Sequence, residues 1–229
     1  MNINNDTLRE RERERERERA GSHNGIVWLD QIPSGWKCKK LKYLCDISNG
    51  NKFRQDNDPN GIYPLYVNSN NILKINDWTH DTLDILTPGG GDVGNVWHYV
   101  NGKFSVHTDV FVIDKFKNNQ IFSKFLFYYL KGTFNKQPII EIRVSFVHLR
   151  PIVLKNFPIL IPSLDEQKNI VNYLDQKLNY IDQLIKNNLN LIDQLEQYKK
   201  SLIFKIVTKG INFINNLKIK LSKINKESS

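Results

Sequence analysis

The sequence has little sulfur and no long apolar run. Cys38, Cys45 and one methionine are its only sulfur-containing residues among 229. Two cysteines this close together match no zinc-ligand spacing, and we expect both to stay reduced. No stretch approaches the apolar length that crosses a bilayer, and the charged N-terminus lacks the apolar core of a signal peptide. We therefore expect a cytoplasmic protein with no membrane partner.

Recognisable catalytic motifs are also missing. The histidines after residue 75 are scattered and form no H-E-x-x-H or other metal-spaced pattern, and neither G-x-S-x-G nor a Walker loop occurs. We interpret all five histidines of the chain as ordinary surface or core residues. We expect no catalytic residue, no metal site and no cofactor bound by this chain. The four scattered histidines are His80, His98, His107 and His148.

One glycine pattern resembles a nucleotide-binding motif. Gly89, Gly91 and Gly94 satisfy G-x-G-x-x-G, but that fingerprint requires a following helix whose N-terminus holds the pyrophosphate. The segment NVWHYV that follows is strand-like instead. We interpret the glycines as a turn between strands, while the close backbone approach that glycine permits leaves a DNA-facing loop open.

Positive charge is the strongest compositional signal. Lysine and arginine number 33 against 24 aspartate and glutamate residues, which gives a net charge of +9. An anionic partner is therefore expected, and double-stranded DNA is the first candidate. No dense block of lysine and arginine occurs. The hydrophobic content of 40% is sufficient for a folded core.

A strictly alternating Arg-Glu repeat runs from Arg9 to Arg19. It has no apolar face, so we assign residues 1–24 to a disordered tail without a binding role. A GA dinucleotide repeat would encode such a tract and would slip in length, so one hypothesis is a switch of the reading frame. An engineered leader and a neutral low-complexity tail are the alternatives. Freely mixed synonymous codons in the gene would contradict the switch.

Residues 25–162 are predicted to form one globular domain, and the mixture of strands and helices predicts an α+β fold. Short strands are expected in YPLYVNSNNILK and LDILTP, and a hairpin with its turn at Asn101-Gly102 joins VWHYV to KFSVHTDVFVI. Asn49-Gly50 is a second turn signal. The segment IFSKFLFYYLKGTF has the apolar period of a helix. The predicted core includes Leu41, Leu44 and Cys45.

Polar residues in the predicted loops are candidates for base contacts. Side chains of Asn, Gln, Arg, Lys and Ser carry the donors and acceptors that read base edges. Each of them is also an ordinary solvated loop residue, so the selection rests on chemistry alone. The candidate DNA-binding residues are Lys52, Arg54, Gln55, Asn68, Ser69, Asn70, Lys103, Arg143 and Ser145.

A long helix is predicted from Leu164 to Val207, within a segment that spans residues 163–208. SLDE at its start is close to a capping box. Apolar residues then recur in alternating steps of four and three, which is the seam of a coiled coil roughly 60 Å long. Because the sequence contains no second long helix, we expect this seam to self-associate, antiparallel or as a dimer. The predicted interface residues are Ile170, Leu174, Leu178, Ile181, Ile185, Asn188, Ile192, Leu195, Leu202 and Ile206.

Two further features complete this segment. Asn188 and Lys199 are polar residues at seam positions, where they tune the register or the choice of partner. Residues 209–229 are predicted to be a basic C-terminal tail, which is solvated and frayed.

Three stretches carry a resemblance to a known family. IPSGWKCKKLKYLCDISNG is similar to the opening of a target-recognition domain, and FPILIPSLDEQKNIVNYLDQKLNYIDQLI is similar to its junction with a conserved helix. LIDQLEQYKKSLIFKIVTKGI is similar to the end of that helix. Together they resemble the specificity subunit of type I restriction–modification systems, from Gly25 to about Ile211. P-x-x-x-E-Q-x-x-I and Y-K-x-S-L-I are the most specific parts.

This resemblance implies a non-catalytic, DNA-reading subunit. A full specificity subunit has two target-recognition domains separated by two antiparallel conserved helices, and each domain reads half of a split target. This sequence departs from that pattern with one domain and one helix. It is therefore expected to act as a half subunit, whose two copies would read an interrupted palindrome.

The resemblance also implies partners and cofactors. A methylation subunit would use S-adenosylmethionine, and a restriction subunit, the motor and nuclease, would use ATP and magnesium. Pairing with itself and pairing with a different half subunit are both open at this point. The target sequence, the spacer and the methylated base are also open.

Three other functions are alternatives. A stand-alone dimeric DNA-binding regulator would bind its target usefully without a methylation subunit. An enzyme that uses the glycine turn would bind a nucleotide tightly. A coiled-coil adaptor would leave residues 25–162 without a role.

Overall fold

The computed structural model describes residues 32–136 and 148–210. The chain divides into two compact units, Met1–Asn172 and Tyr173–Ser229. The Arg-Glu repeat and residues 211–229 of the predicted tail lie outside the described residues, so those predictions stay predictions.

The described part of the first unit is built on eight strands, two short α-helices and the start of a long one. The six-stranded sheet has the order β2-β7-β5-β6-β3-β4, while β1 pairs with β8. All neighbouring strands are antiparallel except β3 and β6. This confirms the α+β prediction. The strands are β1 (Lys37–Lys40), β2 (Asp46–Asn49), β3 (Tyr63–Tyr66), β4 (Ile72–Ile75), β5 (His80–Pro88), β6 (His98–Val106), β7 (Val110–Asp114) and β8 (Pro158–Ile161).

The six-stranded sheet curls strongly around β5. β6 and β7 pair with opposite edges of β5, yet only residues 107–109 connect them. The end of β6 must therefore approach the start of β7, and residues 50–52 bridge the two. Gly50 N–H donates to Val110 O at 3.1 Å, and Lys52 N–H donates to Val106 O at 3.0 Å. The face enclosed by this curl carries a small apolar core of Leu86, Val100, Phe104, Val106, Val110 and Val112.

The larger core lies on the other face of the sheet, beneath α1 (Ser123–Thr133). Helix α1 buries Phe125, Leu126 and Leu130 against β5 and β7, as its apolar period predicts. A short helix, α2 (Pro151–Lys155), adds Leu154 to the same cluster. The predicted core residues Leu41, Leu44 and Cys45 are also buried there, around a 3₁₀ turn, which confirms that prediction.

The stretches that carry the family resemblance meet where the domain closes. β1 pairs with β8 from Lys37 opposite Ile161, which joins the described beginning of the domain to its end. The indole Nε1 of Trp36 donates to Glu166 Oε1 at 3.2 Å. The long helix α3 (Leu164–Lys209) begins at this point, and the Ser163 hydroxyl accepts the Glu166 N–H at 3.2 Å as an N-cap.

The first turns of α3 pack on the first unit. Val171 is buried and Ile170 packs against the larger core. The predicted interface residue Ile170 therefore already has an apolar environment within its own domain. The prediction of a long helix from Leu164 is confirmed, and the helix extends to Lys209 rather than Val207.

Gln167 explains the glutamine of the P-x-x-x-E-Q motif. Its side chain is fully buried, and its Oε1 accepts the Phe122 N–H at 2.8 Å. Its Nε2 donates to the carbonyl oxygens of Gln120 and Pro162, both at 3.0 Å. One buried amide thus supplies hydrogen bonds to three backbone groups of two separate segments.

Replacing this amide by an apolar side chain should destabilise the first unit. In Gln167→Leu, three backbone groups lose their partners, at a cost of about 1–3 kcal/mol for each group that stays buried. We expect the free energy of unfolding to fall by about 3 kcal/mol or more, measured by urea denaturation followed by near-UV circular dichroism. The matched control is Gln183→Leu, at an exposed position of the same helix. Equal midpoints for the two variants would contradict this role of Gln167.

The predicted hairpin at Asn101-Gly102 is wrong. These residues lie within the continuous strand β6, opposite Leu83 and Thr82 of β5. Gly102 has φ +107°, which glycine adopts easily, so the strand passes through this position without turning. Pairing along the whole of β5 outweighs the local turn preference of the Asn-Gly dipeptide. The hairpin instead joins β5 to β6 through residues 89–97.

Candidate nucleic-acid interface

Three connecting loops converge at one end of the curled sheet. His107 N–H donates to Tyr66 O at 2.9 Å, and Gly89 N–H donates to Asp109 O at 2.7 Å. A Cβ atom on Gly91 would lie 3.3 Å from the carbonyl oxygen of Asn68. The β3–β4 turn, the glycine loop and the β6–β7 connection are therefore neighbours. Loops held together by a rigid sheet are suited to recognition of a ligand.

The candidate base readers of the β3–β4 turn are part of this loop cluster. Asn68 and Ser69 are half-buried, and Asn70 is exposed. The Ser69 hydroxyl accepts the Asn71 N–H at 3.3 Å, which orders the turn. Asn70 is therefore the member of the three whose side chain is most accessible to a groove.

Lys52 and Lys103 are held by the loop between β4 and β5. The Lys52 ammonium forms an ion pair with Asp77, which neutralises its charge. The Lys103 ammonium lies 4.7 Å from the ring centroid of Trp78, which is 42% exposed. Lys103 and Trp78 together present a cation and an apolar surface to solvent, whereas Lys52 is less suited to a phosphate contact than the sequence suggests.

The remaining candidates have different placements. Arg54 and Gln55 are exposed in a 3₁₀ turn, Arg54–Asp56. Asp56 Oδ2 accepts the Phe53 N–H at 2.7 Å and closes that turn. Arg143 and Ser145 lie outside the described residues, so their assignment stays a prediction.

The glycine segment is a turn between two strands, as predicted. Gly91 and Gly94 have φ near +77°, and the next element after them is the strand β6, not a helix. A Cβ on Gly90 would lie 2.6 Å from Asp109 Oδ2 and 3.2 Å from the His148 ring. The turn therefore fits between two side chains and lacks the helix N-terminus that a dinucleotide site requires.

Burial shifts the pKa of two ionisable groups on the enclosed face of the sheet toward the neutral form. Neither carboxylate oxygen of Asp84 has a hydrogen-bond partner in the described part of the chain, and burial raises the pKa of Asp84 despite the opposing effects of Thr82 and His80. Burial also lowers the pKa of His98, whose ring lies 4.9 Å from that of Tyr66. Both groups lie on the enclosed face, and a hydrogen bond with the Ser69 backbone, which opposes the shift in the pKa of His98, places that ring next to the β3–β4 turn.

Neither cysteine resembles a nucleophile. Both are free thiols, and Cys45 is buried with its Sγ 3.5 Å from Leu41 O. Burial, reinforced by Asp114 and Asp46, raises the pKa of Cys45 to about 12, so the thiol stays protonated. Across residues 32–136 and 148–210, no three His, Cys, Asp or Glu side chains converge in a way that could hold a metal ion.

Charge is distributed unevenly over the first unit. Residues 50–110, which include the converging loops, contain four lysine or arginine residues and seven aspartates. The other described residues up to Asn172 contain twelve lysine or arginine residues and four acidic ones. Four of these cations stand together in the sequence KCKKLK at residues 37–42, and the others come from separate segments. Seven of them are Lys37, Lys39, Lys40, Lys42, Lys115, Lys117 and Lys155.

The second unit carries the apolar seam of α3. Leu178, Ile181, Ile185, Ile192 and Leu195 are between 40% and 57% exposed in the single chain. Ile206 and the polar residue Asn188 are also exposed, and Leu174 and Leu202 are half-buried. That this seam is an interface stays a prediction. No helix in the described ranges combines the length and the apolarity that crossing a membrane requires.

The sequence profile of the type I restriction modification DNA specificity domain matches residues 33–197. The chain is 26% identical over 174 residues to the type I restriction enzyme EcoDI specificity subunit of Escherichia coli, covering 76% of this chain and 38% of the relative. It is 25% identical over 217 residues to the MjaVIII specificity subunit of Methanocaldococcus jannaschii, covering 81% and 49%. The chain thus spans half or less of the length of these relatives.

Solved structures share the fold. The type I restriction–modification S subunit of M. genitalium matches with a TM-score of 0.57 and 17% identity, over 85% of this chain and 52% of that one. A structure of a type I restriction–modification system, described in terms of complex assembly and conformational transition, matches with a TM-score of 0.64 and 19% identity, over 90% and 57%. Because the profile covers most of the chain, from the Trp36 motif through the Gln167 motif and into α3, this protein belongs to the type I restriction modification DNA specificity domain family.

Proposed function

We propose that this chain acts as a half specificity subunit, which reads one half of a split DNA target and pairs with a second copy through α3. The observation that carries the proposal is the exposed apolar seam between Leu174 and Ile206. Burying one Leu or Ile side chain contributes about 1.5–3 kcal/mol, so a long exposed seam strongly favours a partner helix. The converging loops of the first unit would supply the base contacts.

The spacing of the seam residues is the same when α3 is read in either direction, so two antiparallel copies of the seam can pack together. In an antiparallel pair of identical helices, each residue faces the residue equally far beyond the twofold axis. An axis at residue 190 gives every one of the ten seam positions, Asn188 and Lys199 included, a seam partner. Leu174 would face Ile206, Leu178 would face Leu202, and Ile185 would face Leu195. Asn188 would face Ile192, and Lys199 would face Ile181, against which its aliphatic stem could lie.

The symmetry of such a dimer determines the form of the DNA target. Two identical domains related by a twofold axis would read the same half-site on opposite strands, so the target would be an interrupted palindrome. The chain itself would be non-catalytic. A methylation subunit docked on the dimer would supply S-adenosylmethionine chemistry, and a restriction subunit would supply ATP- and Mg²⁺-dependent cleavage.

Long-read mapping of methylated bases in host DNA tests the proposal, with the gene for this chain present and deleted and its methylation subunit retained. We expect one split palindromic motif to lose methylation on deletion. Loss of an asymmetric split motif would mean that the chain pairs with a different half subunit. An unchanged map would contradict the specificity function and would favour a stand-alone DNA-binding regulator.

A further inference from the structure

We propose that a lysine strip on the first unit contacts the phosphate backbone of double-stranded DNA, and that this strip, rather than the loop cluster, supplies the sequence-independent part of the affinity. The inference rests on the proposed function and adds a second contact surface to it. The lysine strip consists of Lys37, Lys39, Lys40, Lys42, Lys115, Lys117 and Lys155.

Separate elements bring these lysines together. β1 and the 3₁₀ turn after it contribute the four lysines between Lys37 and Lys42. Lys117 is anchored beside that turn because its N–H donates to Leu44 O at 2.9 Å. Lys42, Lys115 and Lys155 line one open cleft of about 470 Å³. Lys37 and Lys39 line a second open cleft of about 340 Å³ at the start of α3. The strip therefore spans two clefts that β1 and the turn after it connect, although its residues come from three distant parts of the sequence.

The charge of the strip is only partly neutralised. Asp46 and Asp114 are the acidic residues of the cleft, and Asp46 pairs with Lys115 at 3.2 Å. Lys39 donates to the neutral amide of Gln120 at 2.6 Å, which leaves its charge uncompensated. Lys42 lies 5.2 Å from the ring centroid of Tyr43, which is 53% exposed. The seven lysines thus outnumber the acidic side chains beside them, which are Asp46, Asp114 and, at the Lys37 end, Glu166 against Trp36. Residues 50–110, in contrast, carry more aspartates than cations.

This distribution matters because the duplex is a dense polyanion. Contacts with phosphates supply most of the sequence-independent affinity of a DNA-binding protein. A loop segment with seven aspartates would be repelled by phosphates, so a domain that reads DNA with these loops needs a positive surface elsewhere. The lysine strip has the required sign.

The strip also has a suitable size and position. At about 3.3 Å per residue in β1 and about 2 Å in the 3₁₀ turn, the stretch from Lys37 to Lys42 extends about 14 Å, which corresponds to about four base pairs along the duplex. β2 runs from the strip at Asp46 to the loop cluster at Asn49 and has only four residues, so its ends are about 10 Å apart. One duplex could therefore contact the loops with its groove and the strip with its backbone.

The test compares two triple variants of the full chain that remove the same charge. The strip variant removes three exposed lysines of the strip, by Lys37→Gln, Lys40→Gln and Lys42→Gln. The control variant removes three exposed lysines outside it, by Lys74→Gln, Lys131→Gln and Lys136→Gln. Binding to a mixed-sequence duplex of about 30 base pairs is measured between about 50 and 200 mM salt, a range over which the release of counterions changes the affinity strongly. Thermal unfolding verifies that each variant is folded.

We expect the strip variant to lower the slope of log affinity against log salt by about 2.7, because each lost phosphate contact contributes about 0.9. The control should lower it by less than about 1. Equal slopes for the two variants, or an unchanged slope for the strip variant, would overturn the proposal. If the strip variant instead loses only its association with a methylation subunit, the strip is a protein-docking surface. If the wild-type chain shows no salt-dependent affinity for DNA, the proposal for the lysine strip is wrong. The methylation map still tests the specificity function separately.

Discussion

Ile185→Asp combined with Ile192→Asp should convert a dimer of this chain into monomers and abolish methylation of its target. With the twofold axis at residue 190, the two substitutions place four carboxylates in the middle of the seam, opposite Leu195 and Asn188. Burying an unpaired carboxylate costs several kcal/mol, and the apolar contribution of two isoleucines per helix is lost as well. Sedimentation equilibrium measures the mass, and sequencing of the host DNA measures methylation.

The matched control uses the opposite face of the same helix. Gln183→Asp and Asn190→Asp introduce the same charge at the same seven-residue spacing, at exposed positions roughly half a turn from the seam. The control should stay dimeric and active. If both double variants have the mass of the wild-type dimer, the seam is not the dimer interface. A wild-type chain that is monomeric, and stays so in the presence of its methylation subunit, would contradict self-pairing altogether.

Gly50→Ala should be among the most destabilising single substitutions in the first unit. A Cβ atom at this position would lie 2.2 Å from Val106 O and 2.5 Å from His107 O, both of them backbone atoms. These atoms cannot move away easily, because Val106 O accepts the N–H groups of Asn51 and Lys52, both at 3.0 Å. Relief of the clash would break the bridge between β6 and β7. We expect a loss of more than about 3 kcal/mol, and a fall in the unfolding midpoint of about 10 °C.

Gly132→Ala is the control for the loss of glycine itself. Gly132 is exposed near the end of α1, and a Cβ there would have no atom within 4 Å. Alanine in a helix is favoured over glycine by up to about 1 kcal/mol. The control should therefore unfold at the wild-type midpoint or slightly above it. A Gly50→Ala midpoint within about 2 °C of the wild type would show that the bridge tolerates a side chain.

Two of the Asn-Gly dipeptides, at residues 49–50 and 101–102, show where sequence reasoning fails in this fold. Both predict turns, yet residues 101 and 102 lie inside β6, and the chain after Asn49 continues to Lys52, which forms a β-bridge with His107 just after β6. In each place the conformation of the backbone is determined by hydrogen bonds to a segment distant in sequence, and the local sequence cannot predict such bonds. At Gly50 the glycine is required because another strand passes close by.

Periodic elements are predicted far better. The seam pattern predicts α3 to within two residues at its C-terminal end, and the apolar period from Ile121 predicts α1. A helix hydrogen-bonds within itself, so its sequence contains nearly all of its signal. The lysine strip was missed for the opposite reason. Four of its lysines stand together in KCKKLK, but Lys115, Lys117 and Lys155 join them only once β1, the chain after β7 and the end of α2 lie side by side.

The pairing of β1 with β8 makes the first unit an exchangeable cassette. Because Lys37 lies opposite Ile161 and Lys40 opposite Pro158, the chain enters and leaves the domain side by side, a few ångströms apart. A genetic exchange that replaced everything between these two strands would leave both ends of the segment where they were. Lengthening or shortening an internal loop that does not contact α3 would do the same. New target sequences could thus arise by recombination within this segment, provided that the backbone at Gln120 and Phe122 keeps its hydrogen bonds to Gln167 of α3.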